Sequence, residues 1–379
     1  MNKKSIFLWS IERNQIVEGY MFGTIHVPFT EVWEQVSEKV KIAFARSDSV
    51  VFELDLYNAN TIKRLMECKN IPGGDMKLYR KRLEQEYRKV ERSETKEELR
   101  KHFRFLFENI AGWERRRPVW LLFLLYQLSE KHVYKEQTPM LDLFLAQYAL
   151  ELNKKLFSIE TAAEQCNPLR SMRIDQVVFA INYTLSYLES EHQLMIKGRQ
   201  SNNSGISNLI NSYKCGSLDE SLFNADSKRF MSHGFSISAE LDKKAQEIDI
   251  QLREDIIERR NVRMADRIAK LLQWKAGNQY FFALGAGHFL GHKSILALLK
   301  SHGFITKAVS EDDDISFRDY TNNKRVYVFN ELWVRDGNFK DVSAIDVLLT
   351  VNELPRSKAK KNRSHGVAFI TTTMFLFFL

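Results

Sequence analysis

Apolar residues recur along this chain in two rhythms, one of strands and one of helices. Tyr20-Met21-Phe22 and Tyr280-Phe281-Phe282-Ala283-Leu284 are short apolar runs that read as strands. Val50 to Leu56 alternates, with Val50, Phe52, Leu54 and Leu56 on one face and Val51, Glu53 and Asp55 on the other. Leu156 to Glu160 reads as a strand ending in an acid, and Ile305 to Ser310 as one more. Helical spacing appears in Val32, Trp33, Val36, Val40, Ala43 and Phe44, with Thr30 as the expected N-cap. It returns in Val119 to Leu128 behind Pro118, in Leu141 to Leu152, and in Ser294 to Ser301, which Gly303 closes. A long helix is expected from Ser238 to Trp274, with Leu241, Ala245, Ile248, Leu252, Ile256, Met264 and Ile268 on its buried side. Residues 76–104 form a charge-dense helical stretch with a solvated face. Residues 200–236, rich in Ser, Asn and Gly, form a long loop or a short helical insert.

Two of these strands end alike. Gly23-Thr24-Ile25-His26 follows the first apolar run, and Gly285-Ala286-Gly287-His288 follows the second. Glycine tolerates positive φ and close backbone approach, so it turns the chain where a side chain must face a cleft. Strand ends are where open α/β sheets place their ligands. A single Gly-x-x-His is most often an ordinary turn; two in matching context carry more weight.

Composition narrows the class. The chain has 379 residues, 44% hydrophobic and 12% aromatic, as a globular protein with a large core does. Its net charge of +8 is spread along the chain, and no nucleic-acid fold motif is present, so nucleic acid is not an expected partner. Cys68, Cys166 and Cys215 allow one disulfide and leave one thiol over, and their spacing matches no zinc knuckle. Only four apolar residues, Ile6 to Trp9, follow the basic amino terminus, too few for a signal peptide core. At the other end, Gly366 to Leu379 is an uncharged apolar run spanning roughly 21 Å as a helix, short of a ~30 Å hydrocarbon core. It reads as a truncated membrane anchor or a tail of the kind exchanged for a lipid. Arg356, Lys358, Lys360, Lys361 and Arg363 before it favour the lipid anchor, because positive charge on the outer side opposes the usual bias of a span.

The residues placed to carry chemistry are His26, Glu53, Glu160 and His288, all at expected strand ends. Two imidazoles with one or two carboxylates suit Zn, Mn, Co or Fe. A carboxylate not used as a ligand can act as general base. No His-Glu-x-x-His helix, Gly-x-Ser-x-Gly elbow or phosphate-cradling loop is present. Glu53 taken alone is equally a buried acid paired with arginine. Asp55 shares its face and is expected to support the site from behind. Arg260 and Asn261, mid-helix, are either an ion-paired helix face or groups aimed at the carboxylates.

An ordered set of stretches carries a family resemblance. They are Phe7-Leu8-Trp9-Ser10-Ile11, Phe22 to Pro28, Phe52-Glu53-Leu54-Asp55-Leu56, Trp113 to Trp120, Leu141 to Gln147, Glu164 to Leu169, Arg260-Asn261 and Phe281 to Phe289. Over residues 7–309 the chain resembles the metalloprotease TIKI family, within the wider TraB/GumN-like group. The resemblance implies an α/β fold, a single mixed-sheet domain with two pseudo-symmetric strand–Gly-x-x-His–helix units flanked by helices. It implies a metal-dependent peptidase that clips the amino-terminal segment of Wnt proteins, with Mn²⁺ or Co²⁺ as cofactor. The family motifs fall on His26, His288 and the essential acid Glu53; Glu160, from its own place at a strand end, is expected in the same cleft as a further ligand or the general base. The resemblance also implies an extracellular-facing, membrane-attached protein that enters through a signal peptide, so the amino terminus here is expected to be incomplete. The family's further cysteine near position 80 is Arg80 here, which would leave Cys166 and Cys215 to pair and Cys68 odd. Sequons at Asn182, Asn202 and Asn362 fit that location.

The expected division is 1–310 as one catalytic domain, 311–365 as a peripheral extension and stalk, and 366–379 as the anchor segment. Two other functions compete with the protease: an esterase-like hydrolase using one histidine as base without metal, and a catalytically idle membrane-associated binder.

Overall fold

The computed structural model describes residues 4–68, 138–166, 205–218, 238–274 and 277–317, with 117, 172–173, 175–183 and 186. The expected helices at 76–104 and 119–128 lie outside these residues, as do Asn202, Asn362 and the apolar tail. Of the Trp113 to Trp120 stretch only Arg117 is described, and its Nε donates to the Cys68 carbonyl at 2.9 Å. No helix among the described residues is long and apolar enough to cross a membrane.

Six strands form one mixed sheet. They are β1 (Leu8–Arg13), β2 (Ile16–Thr24), β3 (Ser49–Phe52), β4 (Lys155–Ser158), β5 (Tyr280–Gly285) and β6 (Ile305–Ala308). Their order is β4-β3-β5-β2-β1-β6. The four central and left-hand strands β4, β3, β5 and β2 run parallel, so their carboxyl ends share one edge. β1 is antiparallel to both β2 and β6. The two glycine–histidine strands are direct neighbours, with Gly23 opposite Leu284 and Thr24 opposite Gly285.

The described helices include α1 (Phe29–Val32), α2 (Glu38–Arg46), α3 (Ala59–Cys68), α4 (Leu141–Glu151), α5 (Ala162–Cys166), α6 (Gly205–Lys214), α7 (Ala239–Arg253), α8 (Arg259–Trp274) and α9 (Ile295–Ser301). Alternation along β5 sends Phe281 and Ala283 to one side, onto Val40 and Phe44 of α2 and Leu145 and Ala149 of α4. Tyr280, Phe282 and Leu284 go to the other, onto Met264, Ile268 and Leu272 of α8 and Leu299 of α9. Both faces are covered, so the strand is apolar throughout. Each buried phenylalanine contributes roughly 1.5–3 kcal/mol. Gly19 permits the closest approach in the sheet: a Cβ there would sit 2.4 Å from the Tyr280 carbonyl oxygen.

Several sequence expectations are corrected. The helix expected from Thr30 to Phe44 is broken, because Ser37 caps a new one, accepting from the Lys39 amide at 3.1 Å, and Pro28 stands at the start of α1. The long helix begins at Ser238 as expected but carries a π-turn, Glu254–Glu258, between α7 and α8. Leu241 is exposed there, while the buried Asp242 accepts from the Tyr183 hydroxyl at 2.9 Å. The strand expected through Leu56 ends at Phe52, where its neighbours end too. Cys166 pairs with Cys68 and not with Cys215, because the last residues of α3 and α5 lie side by side with their Cα atoms 5.9 Å apart. Cys215, beyond α6, is exposed and reduced.

Candidate functional site

Each candidate residue follows a parallel strand by one to three positions: His26 after β2, Glu53 after β3, Glu160 after β4 and His288 after β5. Backbone pairing continues past β3 and β4, the Glu160 amide donating to the Glu53 carbonyl at 2.9 Å, and this sets the two acids side by side. Gly285 is the point on which the site converges. A Cβ at Gly285 would lie 3.1 Å from Glu53 Oε1, 3.6 Å from His288 Cδ2 and 3.8 Å from His26 Nε2. Neither motif glycine has positive φ, a conformation found instead at Gly216, Gly277, Gly291 and Gly303. Close approach, and not turning, is what these positions require of glycine.

The two histidines are held from behind. His26 Nδ1 lies 2.7 Å from Asp142 Oδ2, in the first turn of α4, and the Thr24 hydroxyl donates to Asp142 Oδ1 at 2.6 Å. His288 Nδ1 lies 2.6 Å from Asn261 Oδ1, while the Asn261 amide nitrogen donates to the Lys293 carbonyl at 2.8 Å. His288 Nε2 is buried, makes no hydrogen bond among the described residues, and stands 3.5 Å from Glu53 Oε1. The Tyr213 hydroxyl of α6 donates to the Gly23 carbonyl at 2.7 Å, fixing the backbone from which Thr24 and His26 depart.

Arg260 occupies the other side. Its Nη2 lies 2.5 Å from Glu53 Oε2 and 2.6 Å from Glu160 Oε2, its Nε reaches both Glu160 oxygens, and its Nη1 donates to the Ile256 carbonyl within the π-turn. Gln165 donates to Glu53 and Glu160 from the end of α5. Glu53 Oε1 accepts from the Gly285 amide at 2.8 Å. Burial disfavours the charge on Glu53, but Arg260, then the histidines, outweigh it and hold the carboxyl down at about 2. Burial also holds His288 neutral, down at about 3. For His26 burial acts in the same sense, yet Asp142 outweighs it and raises the imidazole above its ordinary value.

The structure thus brings His26, Glu53 and His288 together and places Arg260 and Asn261 beside them. It sets Glu160 behind Arg260, with both oxygens on the guanidinium. Asp55 lies in the turn after β3, where its carboxylate accepts from the Tyr57 and Asn58 amides. Asn182 is half-buried in a helical stretch. Asp142, Thr24 and Gln165 are the site residues that sequence reasoning missed. The signal for Asp142 was an acid inside the apolar run Leu141 to Leu145. Beside His26 and Glu53 a small cleft opens to solvent, walled by Phe52, Leu54, Leu56 and Ala146.

Among the described residues no three His, Cys, Asp or Glu side chains stand ready to hold a metal ion as placed. Glu53 is drawn toward Arg260 and the Gly285 amide. The donor types nevertheless fit a divalent cation. His288 offers a buried Nε2 with no hydrogen bond among the described residues, His26 Nε2 faces the same point, and an ionised carboxylate lies between them.

Comparison with known proteins places this site in context. The TraB/PrgY/gumN family model matches residues 7–308. The chain is 39% identical to metalloprotease TIKI2 of Danio rerio over 79% of its own length and 60% of that protein's. It is 37% identical to metalloprotease TIKI1 of Homo sapiens over 79% and 61%. It is 34% identical to the metalloprotease TIKI homolog of Nematostella vectensis over 82% and 68%. The chain spans about three fifths of the length of most curated relatives it matches. No solved structure matches it.

Proposed function

The chain belongs to the TraB/PrgY/gumN family, among its TIKI members, and from that footing we propose a metal-dependent protease whose cation is held by His26, Glu53 and His288. The relatives' names support a protease, and so a hydrolytic, role and imply a divalent metal. One observation carries the assignment to residues: the Nε2 edges of His26 and His288 and the Glu53 carboxylate surround the missing Cβ of Gly285.

A divalent ion in that place supplies positive charge for a scissile carbonyl and makes water acidic enough to serve as nucleophile near neutral pH. The chain's own residues do the rest. His288, buried and neutral, offers a lone pair without first losing a proton. Glu53 brings the negative charge that two neutral imidazoles lack. Arg260 and Glu160 hold that charge in place: both Glu160 oxygens lie on the guanidinium, so Glu160 acts as the anchor of Arg260. The cleft beside His26, walled by Phe52, Leu54, Leu56 and Ala146, gives the substrate an apolar approach to the site from solvent.

The substrate we propose is the amino-terminal segment of Wnt proteins, with negative regulation of Wnt signalling as the consequence and Mn²⁺ or Co²⁺ as the ion. The protein would face the extracellular side, attached to the membrane through Gly366 to Leu379. The Cys68–Cys166 disulfide supports an oxidising compartment. The test is to incubate the purified protein with a Wnt protein, with and without chelator, and read the substrate's new amino terminus by mass spectrometry. Cleavage that is lost with chelator and restored by Mn²⁺ or Co²⁺ is the expected result. Cleavage indifferent to chelator, or none with either ion, overturns the proposal.

A further inference from the structure

The histidines of this site are not equivalent in their surroundings, although they arise from matching motifs. Behind His26 stands a carboxylate, and behind His288 an amide. The outcome for the rings is nevertheless the same, and it follows from donor and acceptor counting. A carboxylate only accepts, so the proton between His26 and Asp142 sits on His26 Nδ1. An amide can present either end, but the Asn261 nitrogen is committed to the Lys293 carbonyl at 2.8 Å, so its oxygen faces His288. That oxygen, 2.6 Å from His288 Nδ1, accepts as well. In the neutral rings both Nδ1 atoms therefore carry hydrogen and both Nε2 atoms carry lone pairs.

We propose that Asp142 and Asn261 are positioning residues that lock His26 and His288 in the one neutral tautomer able to ligate a cation through Nε2. The proposal deepens the metal-site reading above and rests on it only for its purpose; the tautomers themselves exist without any ion. Each lock has a third member. The Thr24 hydroxyl holds Asp142 Oδ1 at 2.6 Å, and the Lys293 carbonyl holds Asn261. Thr24 ends β2 and Lys293 lies just before α9, so each ring is tied to the fold through two elements. All four side chains are buried: His26 is 4% exposed, Asp142 7%, Asn261 and His288 1% each. Bulk water therefore does not take over when a partner is removed.

The experiment reads the ring nitrogens directly. Protein labelled with ¹⁵N at histidine is studied free of metal at alkaline pH, where the rings are neutral, and two-bond ¹⁵N–¹H correlations distinguish the tautomers. His26→Asn and His288→Asn spectra assign the two signals. Both rings of the wild-type protein should show protonated Nδ1 and bare Nε2; finding either in the other tautomer overturns the proposal without recourse to further variants. Asp142→Leu should release His26 alone, and Asn261→Leu should release His288 alone, into a mixture of tautomers. Asp142→Asn should reverse the His26 lock: the Thr24 hydroxyl keeps the amide oxygen, which leaves the nitrogen to donate to His26 Nδ1 and drives the ring proton to Nε2. Co²⁺ titration by calorimetry supplies the second readout, with affinity falling roughly 10–100-fold in each leucine variant and in Asp142→Asn. Leucine variants that keep a single tautomer, or bind Co²⁺ as wild type does, overturn the proposal. Failure of the wild-type protein to bind Co²⁺ would count instead against the metal-site reading, with the tautomer result standing on its own.

Discussion

Arg260 and Glu53 meet across 207 residues of chain, Nη2 2.5 Å from Oε2, and the guanidinium is fully buried. Glu160 completes the triad at 2.6 Å. Two carboxylates at neighbouring strand ends repel each other in a low dielectric unless a cation lies between them. Removing that cation leaves Glu53 with the Gly285 amide and Gln165, and Glu160 with Gln165 and the more distant Arg263 at 3.7 Å, at a cost of about 3–5 kcal/mol. Arg260→Met is therefore expected to lower urea-unfolding stability by about that amount. Arg260→Lys should recover little, since an ammonium cannot reach both acids as a planar fork does. A loss below about 1 kcal/mol in Arg260→Met would show that the triad is not what holds these strand ends together.

The second pair on this edge, Glu164 and Arg267, makes a prediction about acid. Burial would raise the Glu164 carboxyl, but hydrogen bonds from Arg267 and Thr161 outweigh it and hold it below its ordinary value of 4.5. A group depressed in the folded state contributes stability that is present above its unfolded value and lost as pH falls through the folded one. Stability from this pair is thus complete above about 4.5 and declines below it. Glu164→Gln should lower stability at neutral pH and converge toward wild type in acid, as followed by thermal melts across that window. Parallel curves for the two proteins would rule out the linkage.

How much of this was legible in the sequence depended on whether a feature was local. The β5 run Tyr280 to Leu284 and its glycine–histidine turn were readable because a strand covered on both faces is apolar throughout. The hairpin between β1 and β2 was not read, although Asn14 and Gln15, both with positive φ, make the two-residue turn. Asn-Gly would have announced it; Asn-Gln does not. The break at Ser37 was hidden because Val36 and Val40 keep helical spacing across it. The site's outer ring was least visible. Asp142 reaches His26 across 116 residues and Asn261 reaches His288 across 27, and such pairings depend on which strands become neighbours. The cysteine pairing failed for the same reason, since only the packing of α3 on α5 selects Cys68.

That disulfide is separable from the third thiol by chemistry. Cys68–Cys166 closes a loop of 98 residues, and Cys215 stands exposed outside it. Thiol titration of the native protein should find one reactive group, and peptide mapping should place it at Cys215. Cys68→Ser is expected to cost about 2–4 kcal/mol and to loosen α5, which carries Gln165 to the two acids. Cys215→Ser should leave stability within about 0.5 kcal/mol of wild type. A bridged Cys215 in the peptide map would refute the pairing outright.

Gly285 offers the cleanest separation of site from fold. Its φ of −54° and ψ of 133° are open to alanine, so the substitution adds a methyl without backbone strain. That methyl would project toward Glu53 Oε1 at 3.1 Å, with His288 Cδ2 at 3.6 Å and His26 Nε2 at 3.8 Å. The tightest of these neighbours, Glu53 Oε1, is held by the Gly285 amide, so it must give by a few tenths of an ångström at a small cost. Stability should therefore remain within about 1 kcal/mol of wild type. The space between the three donors is another matter, because a methyl there displaces whatever they would hold in common. Gly23→Ala is the control: its methyl would meet Ala286 Cα at 3.3 Å and Phe289 Cδ2 at 3.4 Å, so it strains packing while leaving the donors apart from it. Gly285→Ala is expected to weaken Mn²⁺ or Co²⁺ binding at least tenfold, about 1.4 kcal/mol, with the melting temperature shifted by no more than about 4 °C. Gly23→Ala should lower the melting temperature and affect cation affinity less. If Gly285→Ala binds the ion as tightly as wild type, the cation does not sit among His26, Glu53 and His288.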